Sequence, residues 1–222
     1  MGQPGLLIAA AAVALTLISS VVYVDADNLV VTCGSTIKLQ HVATKSRLHS
    51  HQVAYSRGSQ QQSVTGYPDG DDGNSLWLVQ GPENEPCVPG APLRKGARVR
   101  MLHVATRKWL HSHLYQSPLS NNQEVSAFGS DTQTDGGDNW ILEWEGKGKL
   151  WKQNTKIRFK HVDTNAYLYS HDAKYGNPIA GQFEVCAMAS KGKNAEWVAA
   201  EGVYLPQPKK EGEAAEEDKE EL

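Results

Sequence analysis

His41-Val-Ala-Thr-Lys-Ser-Arg-Leu-His-Ser-His51 returns as His103-Val-Ala-Thr-Arg-Lys-Trp-Leu-His-Ser-His113, and again as His161-Val-Asp-Thr-Asn-Ala-Tyr-Leu-Tyr-Ser-His171. The copies start 62 and 58 residues apart. A repeat of about sixty residues has to be read before any single element, because one unit rarely buries its own apolar face. Three units, residues 31–82, 93–146 and 152–204, fill most of the 222-residue chain. Each is too short to close a core alone, so one shared core is expected in a single domain spanning residues 27–205.

Four short apolar runs align across the units. The first reads Ile37-Lys-Leu-Gln-His41, Val99-Arg-Met-Leu-His103 and Ile157-Arg-Phe-Lys-His161, alternating with the period of two that a half-buried strand requires. The second carries Leu48, Leu110 and Leu168, the third Val64, Val125 and Val185, and the fourth starts at Trp77, Trp140 and Trp197. Four strands in each of three units make twelve, an all-β chain. Such a set suits a β-trefoil, a barrel closed about a pseudo-threefold axis and capped by three hairpins, because closure removes exposed sheet edges. A propeller needs four or more blades and fits less well.

The stretch between the first and second strands of each unit is the right length for a hairpin connection of two to five residues. Asp69-Gly-Asp-Asp-Gly-Asn74 and Asp135-Gly-Gly-Asp138 mark turns ahead of the Trp strands and lack calcium-loop spacing. All eight histidines lie in the repeated stretch or its equivalents. His41, His103 and His161 each end an apolar strand just before a turn, where a ring is expected to bond backbone or the Thr three residues on. His49/His51 and His111/His113 are i, i+2 pairs, which share a strand face. Tyr169 breaks that pattern in the third unit, and two ligands leave half of a tetrahedral zinc site unfilled, so no metal is expected. The outward positions of the second strand leave His49, His51, Trp109, His111, His113, Tyr167 and His171 as candidate contacts for a peptide or sugar. Trp77, Trp140 and Trp197 are read as core, while Trp109, Trp144 and Trp151 are less constrained.

No Gly-x-Ser-x-Gly elbow, phosphate loop, Cys-x-x-Cys or His-Glu-x-x-His is present, and the polar residues mostly obey the repeat. No catalytic residue and no cofactor is therefore expected. Cys33 and Cys87 flank the first unit; if they pair, the bridge contributes up to about 4 kcal/mol by loop entropy, though spacing alone leaves the pairing open. Cys186 follows the core Val185 and reads as a buried free thiol. No Asn stands in an Asn-x-Ser/Thr acceptor site.

Residues 6–18 form an apolar run the length of a signal-peptide core, with a small-residue site ending at Ala26, so residues 1–26 are expected to be removed. Residues 206–222 carry seven acids against three Lys and read as a disordered acidic tail. That tail contributes −4 and Asp25 a further −1 to the formal −3, which leaves the body at +2, without the basic footprint of a nucleic-acid binder. The last four residues, Lys219, Glu220, Glu221 and Leu222, differ from the Lys-Asp-Glu-Leu retention signal at one position. A membrane span is not expected, and the two signals point to the endoplasmic reticulum lumen.

These motifs also carry a family resemblance. His-Val-x-Thr followed by Leu-His-Ser-His, with Gln62-Ser-Val-Thr-Gly66, Asn122-Gln-Glu-Val-Ser-Ala-Phe128 and the Trp-led strands, resembles three tandem MIR repeats. Ser117-Pro-Leu-Ser-Asn-Asn-Gln-Glu-Val-Ser-Ala-Phe-Gly129 and Val31-Thr-Cys-Gly34 are similar to the stromal cell-derived factor 2 family. The resemblance implies a β-trefoil resident in the endoplasmic reticulum, working with a DnaJ-type co-chaperone and the DnaK-type luminal chaperone on unfolded clients. MIR repeats also accompany protein O-mannosyltransferases, which keeps a lectin-like module for O-mannosylated or other glycans as the alternative.

Overall fold

The computed structural model describes residues 29–208. The expected leader at 1–26 and residues 209–222, with the Lys219 to Leu222 ending, lie outside the described residues. The first repeat supplies β1 (Thr36–His41), β2 (Arg47–Ala54), β3 (Gln62–Tyr67) and β4 (Trp77–Gln80). The second supplies β5 (Arg98–His103), β6 (Lys108–Gln116), β7 (Gln123–Phe128) and β8 (Trp140–Glu143). The third supplies β9 (Arg158–His161), β10 (Tyr167–Lys174), β11 (Phe183–Met188) and β12 (Trp197–Val203). All twelve strands fall where the apolar runs placed them, and the fourth of each unit begins on its Trp. Short 3-10 turns, Gly73–Ser75, Gly136–Asp138 and Lys193–Ala195, precede those Trp strands.

Two closed arrays organise the strands. β1 pairs antiparallel with β4 and β12, β4 with β5, β5 with β8, and β8 with β9. Ile157, just before β9, bridges Trp197 at the start of β12 and completes a ring of six strands without a free edge. The remaining strands form the hairpins β2–β3, β6–β7 and β10–β11. Their second strands pair with one another, β3 with β7, β7 with β11 and β11 with β3, so the hairpins close a triangle over the ring.

The core sits where both arrays meet. Leu48, Leu110, Leu168, Val64, Val125, Val185, Trp77, Trp140 and Trp197 have no solvent exposure. The three indole N–H groups donate to the carbonyls of Leu48, Leu110 and Leu168 at 2.9, 2.9 and 3.0 Å, which satisfies the polar end of each buried ring. Trp109, Trp144 and Trp151, read from sequence as less constrained, are buried as well. Trp144 turns its N–H to Gly148 O, and Trp151 packs edge-on against Phe159. Cys33 and Cys87 form a disulfide, and Cys186 is a buried free thiol.

The turn between the first two strands has one shape in all units. Lys45, Arg107 and Asn165 adopt left-handed φ values of 63, 55 and 59°. Their N–H groups donate to the carbonyls of His41, His103 and His161. Asn tolerates that region; Lys and Arg accept it at a cost of about 1 kcal/mol each.

Candidate functional site

The inner histidines are built into the ring. Nδ1 of His41, His103 and His161 accepts from the hydroxyl of Thr44, Thr106 and Thr164 at 2.9, 2.7 and 2.9 Å. Nε2 faces a backbone carbonyl, Asn194 O, Asn74 O and Gly137 O, at 2.9, 2.8 and 3.0 Å. A carbonyl only accepts, so the proton is assigned to Nε2 and the rings are neutral. Each carbonyl lies in the 3-10 turn of another repeat, so every ring ties its own turn to a neighbouring unit. Burial pushes all three pKa values down, against the opposing backbone hydrogen bond, and His103 falls to about 4.

Four of the residues expected to face outward are buried. His49 is 3%, His111 5%, Trp109 3% and Tyr167 3% exposed. Strand alternation does turn them away from the core, but the Asp-Gly turns and the neighbouring loops cover that second face. His49 Nδ1 donates to Asp72 Oδ2 at 2.6 Å and leaves Nε2 to accept from His51 Nδ1 at 2.6 Å, while its ring stacks on Tyr67. His111 Nδ1 donates to Asp138 Oδ1 at 2.9 Å. Gly137 makes that approach possible, because a Cβ there would sit 2.4 Å from His111 Cε1. Trp109 donates to Ser130 O at 2.8 Å with the Arg100 guanidinium 4.2 Å over its ring. Tyr167 donates to Glu143 Oε2 at 3.1 Å. These are packed positions rather than surface contacts.

His51, His113 and His171 occupy equivalent half-buried positions. His113 Nε2 donates to Glu124 Oε1 at 3.0 Å and His171 Nε2 to Glu184 Oε2 at 2.8 Å. Both acids are fully buried. Each also holds the hairpin loop of another unit. Glu124 accepts from Ser59 N at 3.2 Å and from the Ser59 hydroxyl, and Glu184 from Leu119 N and Ser120 N at 2.8 and 3.2 Å. In the first unit Ser63 stands at the place of the Glu, and His51 turns to His49 instead; burial is the main cause that lowers both of those pKa values. Sequence reading missed Glu124 and Glu184, although the Glu-Val pair recurs in two of three third strands.

Among the described residues two clusters have metal-like composition, His111 with Asp135 and Asp138, and His171 with Glu184 and Cys186. Their donor atoms are committed. Asp135 caps the 3-10 turn through Gly137 N, and Asp138 accepts from Thr134 and Asp135 N as well as His111. Burial pushes the Cys186 thiol up to about 12, so the thiolate that a metal would need is disfavoured. Both clusters act as loop anchors.

Two open grooves flank the second hairpin. One of about 550 Å³ runs between His113, Phe128, Asp135, Asp163 and Thr164. The other, about 540 Å³, lies between Arg57 and the end of β6.

Residues 48–197 match the MIR domain family. A stromal cell-derived factor 2-like protein of Arabidopsis thaliana is 52% identical over 180 residues, covering 81% of this chain and 83% of that protein. The chain belongs to the stromal cell-derived factor 2 family. The crystal structure of the SDF2-like protein from Arabidopsis thaliana superposes with a TM-score of 0.80 at 51% identity, covering 82% of this chain and 100% of that one. The S. cerevisiae protein O-mannosyltransferase complex bound to its sugar donor contains a matching portion, with TM-score 0.71 and 29% identity, covering 87% of this chain and 30% of that one. In this stromal cell-derived factor 2 family member, no helix among the described residues is long and apolar enough to cross a membrane.

Proposed function

We propose that this stromal cell-derived factor 2 family member is a non-catalytic accessory of a chaperone complex in the endoplasmic reticulum lumen. In this reading its fold is a β-trefoil of three MIR repeats, the six-stranded ring and hairpin triangle being the barrel and its cap. It binds a DnaJ-type co-chaperone, and through it the DnaK-type luminal chaperone, during folding and quality control of client proteins. One observation carries the non-catalytic part: the side chains with chemical capacity are spent on one another, His49 on Asp72, His111 on Asp138, His113 on Glu124 and His171 on Glu184. Family membership over four-fifths of the chain supports the accessory role, and the apolar leader with the Lys219 to Leu222 ending supports the compartment. Mild purification from microsomes should bring down a DnaJ-type protein; its absence would sink the reading.

A glycan-binding role is the second reading, favoured by the groove between His113, Phe128 and Asp163. Its outward lining of one aromatic ring and exposed polar groups suits a sugar. A glycan array should show signal that Asp163→Ala and Phe128→Ala both remove; signal that survives both, or no signal, rejects it.

A further inference from the structure

The three hairpins follow one plan, and the second departs from it. In each, the ladder loses register: Ser50↔Val64 is followed by Ala54↔Gln62, Ser112↔Val125 by Gln116↔Gln123, and Ser170↔Val185 by Lys174↔Phe183. The first strand of each hairpin thus carries extra residues and bulges. In the first and third hairpins the residue pushed outward is polar, Gln52 or Asp172, and the next, Val53 or Ala173, is half-buried. Val53 packs on a buried cluster of Tyr55, Tyr175 and Ile179. The second hairpin contributes nothing to that cluster, since Ser117 stands where the other two have Tyr55 and Tyr175. Its own apolar residues face water instead. Leu114 is 85%, Tyr115 56% and Leu119 40% exposed, three of the five exposed large apolar residues among the described residues.

This patch is held in place from beneath. Tyr115 meets His113 edge-on at 5.0 Å, and His113 is fixed by Glu124. Leu119 N is bound by Glu184. Leu114 and Tyr115 lie in the bulge between Ser112 and Gln116, where the ladder with β7 loses register. Arg57 lines the same groove from the first hairpin and forms no ion pair among the described residues, while the Glu124 carboxylate below is committed to Ser59 and His113.

We propose that this groove docks a segment of another polypeptide that carries an apolar side chain next to a carboxylate. Leu114 and Tyr115 take the apolar side chain, and Arg57 takes the carboxylate. The inference adds a surface to the accessory reading and rests on this chain being a binding protein, whatever its partner.

The test uses the full chain and a fluorescein-labelled peptide, Gly-Ser-Leu-Phe-Asp-Glu-Ile-Gly, read by anisotropy. One control peptide has Lys for the two acids, another Ser for the three apolar residues. The first peptide should bind at least ten-fold tighter than either control. The double variant Leu114→Gln/Tyr115→Val, which installs the residue types of the first hairpin and so preserves the fold, should lose ten-fold or more. Arg57→Glu should weaken the acidic peptide and strengthen the Lys peptide. Equal binding of all three peptides, indifference to the variants, or a wild-type dimer that the double variant abolishes in sedimentation would each overturn it. Loss of peptide selectivity while a DnaJ-type protein is still captured overturns the surface and leaves the accessory reading standing. Peptide selectivity without DnaJ capture by the wild type does the reverse.

Discussion

Acidification from pH 7.5 to 5.0 should destabilise the fold through His103. Its ring is fully buried, with Nε2 bonded to Asn74 O and Nδ1 to Thr106, an arrangement made for the neutral form. Burial lowers the folded pKa to about 4 from an ordinary 6.5. The folded state therefore binds fewer protons than the unfolded state between these values, so stability is fully present above pH 6.5 and is lost as pH falls towards 4. At pH 5 the unfolded ring is mostly protonated and the folded ring mostly neutral, a cost of about 2 kcal/mol, rising to about 3 below pH 4. His41 and His161 are shifted in the same direction and add to it. Urea unfolding followed by Trp fluorescence, in wild type and His103→Gln at several pH values, isolates the contribution. The variant is less stable at neutral pH, and its deficit should shrink by about 2 kcal/mol on reaching pH 5. A deficit that stays constant with pH, or a native His103 ring that titrates near 6.5 by NMR, would refute the reasoning.

Glu124→Gln should cost about 1.5 to 3 kcal/mol, because a charge-assisted acceptor is removed from Ser59 and His113, and hydrogen exchange at the Ser59 amide should accelerate. Trp140→Phe should cost about 2 to 4 kcal/mol in denaturant unfolding, leaving Leu110 O unpaired beside a new cavity. Lys45→Asn should raise stability by about 0.5 to 1 kcal/mol by relieving a left-handed Lys, measurable as a higher urea midpoint at unchanged slope. Cys33→Ser with Cys87→Ser should cost about 2 to 4 kcal/mol, since the bridge closes a 54-residue separation; thermal unfolding of the double variant checks it.

Strand positions were legible because alternation is local. Ile37, Leu39 and their equivalents point inward on a period of two, and Trp77, Trp140 and Trp197 mark the start of each fourth strand. The contact of His41 with Thr44 was legible for the same reason, being only three residues long. Trp109 was misplaced because what covers it, Arg100 and the loop at Ser130, comes from elsewhere in the chain. Alternation separates two faces of a strand; it does not say that one of them is wet. Glu124 and Glu184 stayed hidden behind the same limit, since a Glu on a strand reads as solvent-facing until a loop 65 residues away is seen folding over it. The patch at Leu114 and Tyr115 needed both levels, the repeat alignment to show the departure and the structure to show its exposure.

The closure of β12 onto β1 sets a clock on biosynthesis. Leu39 lies opposite Ala199, so the first strand of the ring waits for nearly the last. At translation rates of about 5 to 20 residues per second, the 160 residues between them take roughly 8 to 32 s to appear. Throughout that interval Ile37 and Leu39, both fully buried in the finished molecule, belong to a strand lacking one neighbour. The nascent chain is thus at its most adhesive before its own carboxyl-terminal strand arrives, and ribosome pausing or truncation ahead of residue 197 should leave a sticky intermediate rather than a smaller stable domain.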